Sequence, residues 1–141
     1  MSRGEREEFL AGVHVGVLGV VEPDSAPLAV PIWYGYEPGG DIWIVTGTAS
    51  RKGRALNAAG RFSLCAQSED LPYRYVSVVG TVLQSRPVTE DDQRTLAYRY
   101  LGQEFGDQYL AATRDEAAGS AVYVLRPERW MTVDYGKQFG A

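Results

Sequence analysis

Two residue types on which much enzyme chemistry depends are nearly missing from this 141-residue chain, which has one cysteine, Cys65, and one histidine, His14. With one of each, the usual four-ligand structural zinc site cannot be assembled, and no internal disulfide can form. No metal site is therefore expected. A serine or cysteine nucleophile would have to use His14, which lies between Val13 and Val15 and reads as a strand residue. Long apolar runs are also absent. The longest, Gly12 to Val21, is about half a membrane span and is interrupted by His14 and three glycines. Positive charge is scarce too: 14 Lys and Arg stand against 18 Asp and Glu, for a net charge of −4. A nucleic-acid partner normally demands a basic face, so none is expected, and no membrane partner either. The opening Met-Ser-Arg-Gly-Glu-Arg-Glu-Glu lacks a basic-then-apolar leader. Together these features lead us to expect a reduced, cytoplasmic, single-domain protein spanning residues 1–141. If it is an enzyme, the difficult chemistry belongs to a bound cofactor, because no side chain stands out as catalytic.

What is present is mostly a period-two pattern. Runs at His14–Glu22, Leu28–Tyr36, Asp41–Thr46, Phe62–Gln67 and Tyr75–Leu83 read as strands, with turn residues between them. A sixth is expected over Ala121–Leu125 and Trp130–Val133, broken at Pro127. Helices are fewer. Arg6–Leu10 is short. Ser50 is a good N-cap for Arg51–Ala59, and Gly60 suits the left-handed closing position. Thr89 with Asp92 opens a helix to about Leu101, and Asp107–Arg114 allows another turn or two. The class is mainly β (α+β): a six-stranded β-barrel with a few peripheral helices.

The informative stretch is Thr46-Gly47-Thr48-Ala49-Ser50-Arg51-Lys52-Gly53-Arg54. A strand ends, small residues carry the chain over, and a helix begins. Unpaired N–H groups at a helix N-terminus suit a phosphate. Cations in the first turn have the wrong sign for the helix dipole, so Arg51 and Lys52 point to a bound anion or, alternatively, form a solvated basic patch.

The run Ser50-Arg51-Lys52-Gly53-Arg54-Ala55-Leu56, after a strand ending in Thr46 and before Arg61-Phe62-Ser63-Leu64, resembles the pyridoxamine 5′-phosphate oxidase superfamily. The resemblance covers roughly residues 16–81. It implies a split β-barrel that is a homodimer, with FMN or a deazaflavin held between subunits. By this resemblance Arg51 and Lys52, with Ser50, hold the cofactor phosphate. Val45 and Thr46 touch the cofactor, and residues 30–34 run along its ring and ribityl chain, with Pro31, Ile32 and Trp33 as contacts. Trp130 is similar in placement to a family tryptophan that reaches the cofactor from the second subunit. Pro72-Tyr73-Arg74-Tyr75-Val76 resembles the actinobacterial flavin/deazaflavin branch, which adds Arg74 and Tyr75 as candidate contacts.

There are departures from the oxidase itself. Val30 and Gly35 stand where it has basic residues, and its C-terminal Arg-x-His motif is missing. Pyridoxamine phosphate is thus not the expected substrate. The resemblance implies an oxidoreductase using coenzyme F-420 or FMN on a small organic substrate. The alternative is a non-catalytic carrier or sensor of a flavin or tetrapyrrole. Among other features, Trp33 is expected to face opposite to Tyr34 and Tyr36, and Cys65 to be buried and inert.

Overall fold

Ser2 and Glu5 start the first helix, α1 (Arg3–Ala11), through a reciprocal capping box in which each side chain takes a backbone N–H of the other residue. That box extends the helix three residues upstream of the expected Arg6–Leu10. In this computed structural model, which describes residues 1–138, the order continues as β1 (Gly16–Val20), β2 (Leu28–Ile32), β3 (Ile42–Gly47) and α2 (Arg51–Ala59). Then come β4 (Arg61–Ser68), β5 (Arg74–Pro87), α3 (Glu90–Ala112), a 3-10 turn (Arg114–Gly119), β6 (Ser120–Asp134) and α4 (Tyr135–Gln138). Among the described residues, no helix is long and apolar enough to cross a membrane.

The six strands form one sheet in the order β2-β1-β4-β5-β6-β3, every pair antiparallel. The sheet curls until its two ends meet. The chain beyond β2 bridges β3 through Gly35 and Trp43, which exchange N–H···O bonds of 2.8 and 3.0 Å. Alternation then sorts the side chains. Leu18, Ile32, Ile42, Ile44, Leu64, Val76, Val78, Tyr123 and Leu125 fill the interior, closed by Phe9 and Leu10 of α1 and Leu56 of α2.

Several boundaries differ from expectation for identifiable reasons. The ladder of β2 stops at Ile32, well short of Tyr36, because the chain leaves β1 to reach β3 across the closing seam. β6 is continuous through Pro127. The proline sits opposite Gly80 at a register shift, where a missing N–H leaves no ladder bond unmade. Gly80 suits that bulge, since a Cβ there would collide with the carbonyl oxygen of Arg126. The two helical segments expected after Thr89 form one long α3 interrupted at Gly102, whose φ of 78° and ψ of 173° only glycine adopts readily. His14 lies just ahead of β1, and its ring stacks on Phe9 at 4.4 Å. Cys65 is half-buried, not buried, and burial pushes its thiol pKa up.

The start of α3 provides a pH probe. Asp92 caps with Thr89 and receives both terminal nitrogens of Arg86 at 2.7 and 3.0 Å. The Arg86 guanidinium beside it holds its carboxyl down at about 2. A folded-state value below the unfolded one means this contribution is present above about pH 4 and is lost as pH falls toward 2. We expect thermal melts of Asp92→Asn to show a shallower loss of stability over that window than the parent; identical slopes would contradict this assignment.

Candidate functional site

The turn from β3 into α2 is built by its own small residues. Ser50 Oγ donates to Gly47 O at 2.6 Å and accepts from Gly53 N at 3.1 Å, while Thr46 Oγ1 lies 3.2 Å from Ser50 Oγ. Among the described residues, Thr46 is the one buried polar residue of the barrel wall. Gly53 lets the helix sit tightly over this turn, because a Cβ would meet the Gly47 carbonyl oxygen. With Gly53 N capped, the N–H groups of Arg51 and Lys52 remain without a hydrogen-bond partner among the described residues.

Beside this helix end lies a cavity of about 490 Å³, within the ordinary range for small-molecule sites. Pro31, Ile32 and Trp33 from β2 and the chain after it, Val45 and Thr46 from β3, and Lys52 from α2 all line it. Six residues named from sequence are therefore gathered on one concavity. The others lie elsewhere. Ser50 is beneath the wall as the helix cap. Arg51 faces away and pairs with Glu22, just after β1, through Nε and Nη2 contacts of 2.6 to 3.1 Å. Arg74 lies over the Phe9 ring, 5.0 Å from its centroid. Tyr75 sits across the sheet from Gln67 and Val133. Trp130 packs against the core in a second cleft, with the Arg6 guanidinium 4.6 Å above its ring and Tyr36 edge-on to it.

Half of the cavity wall was not anticipated from sequence. Gln93, Leu96 and Tyr109 of α3, Thr113 just after it and Glu116 of the 3-10 turn are part of it. The two arms of α3 clasp the Trp33 indole. Tyr100, before the Gly102 kink, stacks parallel to it at 5.1 Å and 5°, and Tyr109, after the kink, meets it at 5.1 Å and 51°. Tyr100 is itself fixed, since its hydroxyl accepts from Tyr34 N at 3.1 Å and donates to His14 O at 2.7 Å. Trp33 does face opposite to the buried Tyr34 and Tyr36. The tyrosine spacing around a mid-helix glycine was visible in sequence, but nothing there linked it to Trp33.

The six-stranded curled sheet thus carries a side cavity lined by Lys52 next to the N-terminus of α2. The chain belongs to the pyridoxamine 5′-phosphate oxidase family, whose model matches residues 3–134. Solved structures agree in fold. A conserved hypothetical protein from Mycobacterium tuberculosis superposes with a TM-score of 0.76 at 22% identity, covering 100% of this chain and 89% of that one. A structure described as an F-420 reductase gives 0.66 at 23% identity, covering 89% and 94%. A heme binding protein from Mycobacterium smegmatis gives 0.65 at 22%, covering 96% of this chain and 56% of that one. No curated protein matches the chain.

Proposed function

We propose that the chain is an oxidoreductase that holds a flavin-type cofactor, coenzyme F-420 or FMN, in the cavity between β2, β3 and α3. The observation that carries this reading is Lys52. It lines the cavity beside two unpaired backbone N–H groups, with no carboxylate paired to it among the described residues. A cation and free donors converging on one cavity mouth suit a phosphate-bearing tail. Trp33, held in place by Tyr100 and Tyr109, adds apolar surface to the same cavity, which suits the edge of a planar ring. Such a ring supplies hydride transfer when bound; the residues here would bind it, orient it and keep water from one face.

Family membership and the F-420 reductase neighbour support the redox reading, and the non-basic Val30 and Gly35 tilt it toward the deazaflavin. The heme-binding neighbour favours the rival, a non-catalytic carrier. Against a tetrapyrrole, His14 and Cys65, two of the usual iron ligands, both lie outside the cavity, and His14 Nε2 is engaged with Phe9 O at 3.0 Å. The test is titration of the purified protein with F-420 and with FMN, followed by addition of a reduced nicotinamide and a small acceptor. Binding with electron transfer is the expected result. Binding without transfer would favour the carrier, and no binding would overturn the proposal.

We further propose a homodimer formed through the outer face of the sheet. Val15 and Val17 of the β1 side, Pro31 opposite Val17, and Met131 opposite Ser77 leave that face apolar and exposed. Val15 and Pro31 also line the cavity, so a subunit docked there would cover its rim. Val17→Asp should convert the dimer to a monomer in light scattering and weaken cofactor binding. A monomeric parent protein would refute this.

A further inference from the structure

Arg51 and Lys52 are adjacent in sequence but differently committed. Lys52 lines the cavity, whereas Arg51 is tied to Glu22, whose two carboxylate oxygens receive its Nε and Nη2. Glu22 is kept ionised, its carboxyl held below the usual range chiefly by the Arg51 hydrogen bond and further by the charges of Arg51 and Arg54. On the cavity wall a second carboxylate, Glu116, faces the same space as Lys52. Among the described residues, Lys52 is thus the one cation lining the cavity, with the Glu116 carboxylate on the same wall. We propose that Glu22, by sequestering Arg51, makes this site select a cofactor tail bearing a phosphodiester over one ending in a phosphomonoester. The inference rests on the cofactor reading above.

The argument is one of charge. A terminal phosphate carries about −1.5 to −2 at neutral pH, and a diester carries a single charge. Lys52 and the helix N–H groups can match the first negative charge. Among the described residues the second meets no further cation on the cavity wall, which instead carries Glu116. A dianion could recruit Arg51 only by breaking its pair with Glu22 and leaving that carboxylate with the charge of Arg54 alone. The pair is partly exposed, with the Arg51 side chain 61% accessible and Glu22 16%, so this cost is modest and the preference is one of ratio, not of all or none.

The test compares two ligands that differ only in this respect, FMN and riboflavin 5′-(methyl phosphate), by quenching of flavin fluorescence at pH 7.5. The parent protein should bind the methyl ester about fivefold or more tightly than FMN. Glu22→Gln should strengthen FMN binding by about fivefold while changing the ester less than about twofold, and adding Arg51→Ala should remove the gain. Circular dichroism of each variant checks that it is folded. FMN binding as tightly as the ester in the parent, or an equal shift of both ligands in Glu22→Gln, would overturn the proposal. Failure of both ligands, and of F-420 titrated alongside them, to bind any variant would instead remove the cofactor reading, and the selectivity with it.

Discussion

Replacing Lys52 by Ala should lower FMN or F-420 affinity by about ten- to a hundredfold, the worth of one charge-assisted contact at about 1.5–3 kcal/mol. Among the described residues Lys52 has no ion pair or side-chain hydrogen bond of its own, so its removal should leave the melting temperature almost unchanged. The loss would then be a loss of recognition, not of fold. Riboflavin, which has the ring but no phosphate, is the discriminating ligand. Its affinity should be the same for parent and variant in calorimetric titration. An equal loss for riboflavin and FMN would mean that Lys52 contacts the ring, and that the tail lies away from α2. Lys52→Arg should retain part of the binding, because a guanidinium can also donate to phosphate oxygens, though on a longer, differently shaped side chain.

Tyr34→Ala should cost about 3–5 kcal/mol, the largest stability effect we anticipate from one substitution. Tyr34 is fully buried where three parts of the chain converge. Its hydroxyl donates to Leu10 O of α1 at 2.7 Å, its N–H goes to the Tyr100 hydroxyl of α3, and its ring fills the interior beside the closing bridge at Gly35. Burial drives the pKa of this phenol upward, so it donates as the neutral form. Tyr34→Phe keeps the ring and leaves the Leu10 carbonyl without its donor, which should cost about 1–3 kcal/mol. Urea denaturation of both variants separates packing from hydrogen bonding. Equal destabilisation by Phe and Ala would show that the hydroxyl, not the ring, holds this corner together.

The strand content was readable because a half-buried strand must alternate, and β4 alternates plainly in composition. The cap at Ser50 and the left-handed Gly60 were readable for a similar reason: both are dictated by the chain's own backbone within a few residues. Boundaries set by partners were less legible. Whether Pro127 breaks β6 depends on Gly80, 47 positions earlier, and on a bulge that places the proline where no ladder bond is owed. α3 was expected as separate segments, and the kink at Gly102 shows why, yet the pattern did not reveal that both arms close on one indole.

The candidate site divides in the same way. The residues from Thr46 to Lys52 could be named from sequence because a helix N-terminus and its first-turn cations are local features whose chemistry does not depend on distant partners. The far wall, with Tyr109, Thr113 and Glu116, could not. Nor could the separation of Arg51 from Lys52. Side chains one residue apart on a helix point in different directions, and only the return of β1 to bring Glu22 alongside decides which of the two is spoken for. The sequence by itself determined the alternating strands, the capped turn and the presence of two cations there. Tertiary structure alone decided which cation meets the cavity, because long-range pairing is set by how the barrel closes and not by any neighbour in the chain.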